Sequence, residues 1–234
     1  MEKQRLDRFL SNQTGMSRSV VRTGIRRGFA YVNGDAVKDA AYIIDPSSDK
    51  IDYDGESVEY KEFVYIILNK PSGIISASRD KSRKTVLDLV PESLKRRDLS
   101  VVGRLDKDTT GLLLITDDGE FAHKCISPKS KIEKSYIVTL DSDINADAVD
   151  EFAKGVVLAD GYKCKPAVLE ILAKNKARVI ITEGKYHQIK RMFGVFGLGV
   201  EGLHRERIGT LILPDNLLFG ECQEINKTTA LRIN

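Results

Sequence analysis

Three segments hold side chains able to do chemistry together. The first runs Gly103-Arg104-Leu105-Asp106-Lys107-Asp108-Thr109-Thr110-Gly111-Leu112-Leu113. A glycine opens a loop that delivers Asp106 just ahead of an apolar strand. A carboxylate so placed is anchored by a rigid sheet while its oxygens point into a cleft. The flanking Arg104 and Lys107 would favour its charged form. The commoner fate of an Asp followed by Thr and Gly is a cap or a turn. The second segment is Lys131-Ile132-Glu133-Lys134-Ser135-Tyr136. A tyrosine on a strand face beside basic residues can stack on a nucleobase, or be no more than a half-buried strand aromatic. The third is Glu183-Gly184-Lys185-Tyr186-His187-Gln188-Ile189-Lys190-Arg191-Met192. Gly184 allows a sharp entry to a helix carrying Lys190 and Arg191 near its start. Either cation can pair with a carboxylate or a phosphate; a solvated basic turn is the bland reading.

The elements that must position these groups are readable in part. Phe63 to Leu68 is a strand candidate closed by Asn69-Lys70-Pro71-Ser72-Gly73. Gly111 to Thr116 reads as a buried strand, with Asp117-Asp118-Gly119 as its turn. In Tyr136 to Leu140, Tyr136, Val138 and Leu140 share one face. Asp147 to Lys154 reads as a short helix, Arg178 to Thr182 as a strand and Ile208 to Leu213 as a late strand. His187 to Phe196 reads as a helix with Ile189, Met192, Phe193 and Phe196 as its apolar stripe. Strands and helices mix without regular alternation, which predicts an α+β domain on a largely antiparallel sheet.

A smaller unit precedes it. Leu6, Phe9 and Leu10 have helical spacing, broken at Thr14 and Gly15. Ser17 is a candidate N-cap of a second helix and Gly28 its C′ residue. Arg18, Arg22 and Arg26 fall in a row on that helix, within reach of successive phosphates. Asn33-Gly34 and Asp54-Gly55 are hairpin signals. The basic residues Arg5, Arg8, Arg18, Arg22, Arg26, Arg27 and Lys38 crowd the start of the chain, and an acidic stretch follows to Glu59. This asymmetry suits a polyanion-binding module facing one way, while charge by itself fits a plain solvated helix face better. The division expected is 1–58 and 59–234.

The rest of the composition mainly excludes. Hydrophobic residues are 41% and charged residues 30%, with a net charge of +3, as in ordinary globular chains. No apolar run approaches the ~20 residues that cross a bilayer, and no apolar signal core opens the chain. A cytoplasmic protein without membrane attachment is expected, and with no large apolar patch evident, a monomer. Cys125, Cys164 and Cys222 are isolated and odd in number, so reduced structural thiols are expected. No P-loop glycine run and no Cys/His cluster occurs, and His123, His187 and His204 are dispersed. No cofactor and no metal are expected.

Taken together, RLDRFL…GMSRSVVRTGIRRGFAYVNGDAV resembles the S4 RNA-binding domain. GRLDKDTTGLLLIT, EKSY, and EGKYHQIKRMF followed by LHRERIG resemble, in order and spacing, the pseudouridine synthases. The resemblance is to the small-subunit (RsuA-type) branch and runs over nearly the whole chain. It implies a bent, mainly antiparallel mixed sheet flanked by helices, with the cleft across it, behind a small S4-type module whose arginine face contacts structured RNA. Carried over by motif, the catalytic aspartate falls on Asp106, the active-site tyrosine on Tyr136 and the aspartate's basic partner on Lys190. Arg104 is the motif arginine, Leu203 the apolar residue of the pocket floor, and Arg191 a further substrate contact. The implied reaction is isomerisation of a uridine in 16S rRNA, free or in an assembling small subunit. A 23S rRNA enzyme, a non-catalytic RNA-binding or assembly protein, and a glycoside hydrolase using Asp108 as second carboxylate are the rivals.

Overall fold

Two short helices and their strands build the first unit around apolar spacing. The computed structural model describes residues 2–127, 129–231 and 233. Strand β1 (Gln4–Arg5) leads into α1 (Leu6–Thr14), which ends at Gly15 in the left-handed conformation, φ 72°. Ser17 caps α2 (Arg18–Arg27) by accepting from the Val20 amide, and Gly28 closes it at φ 87°. Then follow β2 (Ala30–Val32), β3 (Asp35–Val37), β4 (Ile43–Ile44), β5 (Ile51–Tyr53) and β6 (Glu56–Ser57). The hairpin turns are Asn33-Gly34 and Asp54-Gly55, with positive φ at all four residues. That is the geometry a two-residue turn needs to match strand twist. Strands β3-β2-β5-β6 form one sheet and β1-β4 another. Leu6, Phe9, Leu10, Val21, Ile25 and Ile51 are buried together as this unit's own core.

The second unit is a nine-stranded sheet. Its strands are β7 (Tyr65–Lys70), β8 (Ser100–Val102), β9 (Thr110–Thr116), β10 (Lys134–Leu140), β11 (Val168–Ala173), β12 (Lys176–Ile181), β13 (Val200–Ile208), β14 (Leu211–Ile212) and β15 (Cys222–Ile225). The order is β11-β12-β10-β13-β9-β7-β15, with β14 on β13 and β8 on β9. Every pairing is antiparallel except β13 with β9. The sheet is therefore mixed but mainly antiparallel, as expected.

Both faces of this sheet are covered. Ile66, Leu68, Leu113 and Ile115 join one core, with Phe152 of α4 (Asp147–Lys154) and Ile189, Met192 and Phe193 of α5 (Gln188–Gly194). Tyr65, Ile67, Leu112 and Leu114 join the other, with Phe121 and Cys125 of α3 (Gly119–Ile126). Strands buried on both sides read as unbroken apolar runs, which is why IILN and LLLI stand out in the sequence. A short α6 (Lys227–Leu231) ends the order, and no described helix is long and apolar enough to cross a membrane.

Several expected boundaries differ; β7, for one, starts at Tyr65 and runs on through Asn69 and Lys70, the residues expected to close it. Asp118 is not a turn residue. Its carboxylate accepts from the Phe121 amide and caps α3, a helix that the Asp-Asp-Gly triplet concealed. Of the late strand expected over Ile208 to Leu213 only the short β14 (Leu211–Ile212) forms, and the long strand of this region is β13, which ends at Ile208. Its Val-Glu-Gly-Leu-His-Arg-Glu-Arg sequence lacks apolar alternation, because Arg205 is buried on backbone carbonyls and Glu206 finds polar partners across the sheet. Glu206 accepts from Arg178 and Ser135 across neighbouring strands, at 2.7 Å in each case.

The units meet around Arg96, whose side chain is buried. It donates to Asp117 at 3.3 Å, to the Lys61 carbonyl at 2.6 Å and to the Gln13 side chain of α1. Lys61 in turn pairs with Glu224 on β15 at 2.7 Å.

Candidate active site

The loop from Gly103 to Thr109 joins β8 to β9 and carries Asp106 to the mouth of a cleft of about 80 Å³. Gly103 takes φ 75°, a conformation that a side chain would strain. Asp106 lines the cleft with Arg104 and Thr109 of the same loop, Tyr136 of β10, Leu203 of β13, and Lys185 and His187 ahead of α5. Asp106 is the one carboxylate among the described lining residues. The sequence-predicted Asp106, Tyr136, Arg104 and Leu203 are thus brought together.

Lys190 and Arg191 are not among them. The ammonium of Lys190 pairs with Asp108, not Asp106. The buried face of α5 is Ile189, Met192 and Phe193, so Lys190 projects outward to a carboxylate that is two-thirds exposed. That hydrogen bond, outweighing partial burial, holds the Asp108 carboxyl below its ordinary value. Arg191 is committed to Asp160. The nitrogen facing the Asp106 carboxylate is instead His187 Nε2, at 3.6 Å. His187 sits immediately before α5 at φ 48°, a left-handed conformation that a non-glycine residue adopts at a cost.

Two buried cations clasp the Asp106 loop from below, and sequence reasoning passed over both. Arg205 on β13 lies directly opposite Tyr136 on β10 and is 1% exposed. It donates to the Leu112 carbonyl at 2.8 Å and to the Gly103 carbonyl at 3.1 Å, and approaches the Tyr136 hydroxyl at 3.5 Å. Its guanidinium also lies 6.0 Å from the Tyr136 ring centre, within cation–π range. Lys70 at the end of β7 is fully buried. It donates to the carbonyls of Pro71 at 3.1 Å, Lys107 at 3.1 Å and Thr109 at 2.8 Å. Burial brings its pKa down from 10.5 to about 8, opposed by the nearby charges of Asp108 and Asp106. One clasp holds the loop's first residue and the other holds its last turn. The Thr109 hydroxyl, on that last turn, is buried without a partner among the described residues.

Arg205 did leave a signal. Leu203 had been marked for the pocket, and residues i and i+2 of a strand share a face. His187 left none, since only three dimensions bring it to Asp106.

In the first unit the arginine row is divided. Asp7, buried on α1, accepts from Arg22 at 2.7 Å and from Arg5 at 3.0 and 3.1 Å. Burial raises its pKa, but these two guanidinium groups outweigh it and leave it at about 2. Arg5 and Arg22 therefore spend part of their charge inside the protein. Arg8, Arg18, Arg26, Arg27 and Lys38 are exposed and enter no ion pair among the described residues.

A small basic module stands beside a sheet whose cleft presents one carboxylate, a tyrosine and Leu203, and relatives say to which class of protein that arrangement belongs. The RNA pseudouridylate synthase profile matches residues 64–194, and the S4 domain profile matches residues 4–51. The chain is 41% identical over 225 residues to the ribosomal small subunit pseudouridine synthase A of Escherichia coli (strain K12), covering 95% of this chain and 96% of that one. It is 39% identical over 218 residues to the protein of that name in Vibrio cholerae, covering 93% and 94%. A solved pseudouridylate synthase superposes with a TM-score of 0.69 at 36% identity, covering 99% of this chain and 100% of the other. The chain belongs to the RNA pseudouridylate synthase family and carries an S4 domain at its N-terminus.

Proposed function

We propose that this enzyme isomerises one uridine of 16S rRNA, free or in an assembling small subunit, to pseudouridine, with Asp106 as the reacting carboxylate. The supporting observation is a cleft whose lining holds a single carboxylate beside Tyr136 and Leu203. In the reaction the bond from ribose C1′ to base N1 breaks, the base turns, and C1′ bonds to C5. The C5 proton leaves and N1 gains one. Asp106 acts on the sugar or the base, as nucleophile or as base toward the 2′ proton. Tyr136, held by Arg205, stacks on the uracil, and Leu203 packs its far side. Arg104 is exposed at the rim, free to meet a phosphate. Lys190 fixes Asp108 and so steadies the loop from outside. A glycoside hydrolase needs a second carboxylate across the cleft, and Asp108 is turned away to Lys190.

The division proposed is residues 1–58 for RNA docking and 59–234 for chemistry, in a cytoplasmic monomer. Incubation with unmodified 16S and 23S rRNA, followed by primer extension after carbodiimide treatment, tests the reading. One stop in 16S is expected. A stop confined to 23S would move the substrate, and release of free uracil would replace the isomerase by a hydrolase.

The divided arginine row makes a further prediction. Arg18→Ala and Arg26→Ala should each weaken rRNA binding and flatten the dependence of log affinity on log salt by about one unit per residue. Arg22→Ala should instead lower the unfolding midpoint, because Asp7 loses a partner while buried. Equal salt slopes in all three proteins would contradict the arrangement.

A further inference from the structure

Tyr186 is the most exposed large aromatic side chain beside the cleft, at 76%. Its ring lies flat on the His187 ring, with centroids 3.9 Å apart and planes inclined by 17°. The edge of that same His187 ring reaches Asp106. His187 holds its place through a left-handed backbone, and Arg191 donates to the Tyr186 carbonyl at 3.5 Å. The outer face of Tyr186 meets no other ring and no cation among the described residues. An apolar face of this size, held flat and open to water, is a stacking platform awaiting a further ring.

From this arrangement we infer that Tyr186 and His187 form a second base-binding site, which stacks an unpaired RNA nucleobase adjacent to the target uridine. The inference rests on the enzyme acting on RNA as proposed above. A base on the outer face of Tyr186 lies one ring beyond His187 and so cannot itself touch Asp106. The occupant is a neighbour of the reacting nucleotide along the same strand. Once the uridine turns out of its stack toward Asp106, the neighbour is left without a stacking partner, and Tyr186 replaces the lost surface. Stacking tolerates any base, so this site holds the strand and sets its register rather than reading sequence.

The test uses the full chain, which contains no tryptophan. Tyr186→Ala should raise KM for the rRNA substrate about five- to a hundredfold with kcat within about threefold, the range for losing one base–aromatic stack. Tyr186→Phe should restore the wild-type KM, since it keeps the ring. The Tyr186→Trp protein carries a single indole, whose fluorescence should be quenched when rRNA binds. Unchanged fluorescence at saturating rRNA, or a wild-type KM in Tyr186→Ala, would overturn the site. The fluorescence measurement needs no turnover. A wild-type protein that binds rRNA without forming pseudouridine would therefore end the enzymatic reading, while the quench still decides the stacking.

Discussion

The Asp106→Asn protein is expected to fold and to bind rRNA as the wild type does, yet to form pseudouridine at least about a thousandfold more slowly. The substitution keeps the shape, turns one acceptor oxygen into an NH2 donor and removes the negative charge. Asp106 is a third exposed, and the side chain facing its carboxylate is that of His187, at 3.6 Å. Little stability is at stake, so the unfolding midpoint should stay within the scatter of surface substitutions, about 0.5 kcal/mol. Asp108, two residues on, is the control. Its carboxylate is two-thirds exposed beside Lys190, and ion pairs open to solvent contribute at most about 1 kcal/mol. Asp108→Asn and Lys190→Met should both keep activity within about tenfold. Single-turnover rates on one rRNA fragment decide between the two aspartates. A Lys190→Met protein as inactive as Asp106→Asn would show that the lysine leaves Asp108 for Asp106 when RNA binds.

What could be read in advance, and what could not, follows the distance between contacting residues. Local signals were read well. Ser17 and Gly28 bracket α2, Asn33-Gly34 and Asp54-Gly55 turn their hairpins, and Tyr136, Val138 and Leu140 face one core. Asp106, Tyr136 and Leu203 were found because each lies in a segment with its own pattern, and the fold gathers them into one cleft. The failures are long-range. Whether a lysine points at Asp106 or Asp108 depends on which side of α5 packs inward, and the sequence spacing satisfied both. Lys70 and its acceptors Lys107 and Thr109 are more than 35 residues apart, so nothing beside Lys70 marks it as buried. Strand β13 shows no apolar alternation to detect, because its buried Arg205 is satisfied by carbonyls of another loop and strand and its Glu206 by Arg178 and Ser135.

The buried lysine also carries the second large effect. Lys70→Met should leave the carbonyls of Pro71, Lys107 and Thr109 without their donor and let the turn that follows Asp106 drift. A displacement of about 1 Å of a reacting group costs on the order of a hundredfold in rate, and the fall should appear in kcat while rRNA affinity holds. The pH dependence identifies the cause. The folded-state pKa of Lys70 is lowered to about 8 against 10.5 in the unfolded chain, chiefly by burial. Between those values the unfolded chain binds a proton that the native protein has released, so native stability gains as pH rises through the window. Below pH 8 both states are charged and the contribution is flat. Lys70→Met lacks this titration. The difference in unfolding free energy, wild type minus variant, should therefore grow from pH 8 to pH 10.5, by up to about 3 kcal/mol. Subtracting the two proteins cancels the other lysines and tyrosines that titrate there. A difference that stays level across the window, with kcat unchanged, would mean that this ammonium does not hold the loop.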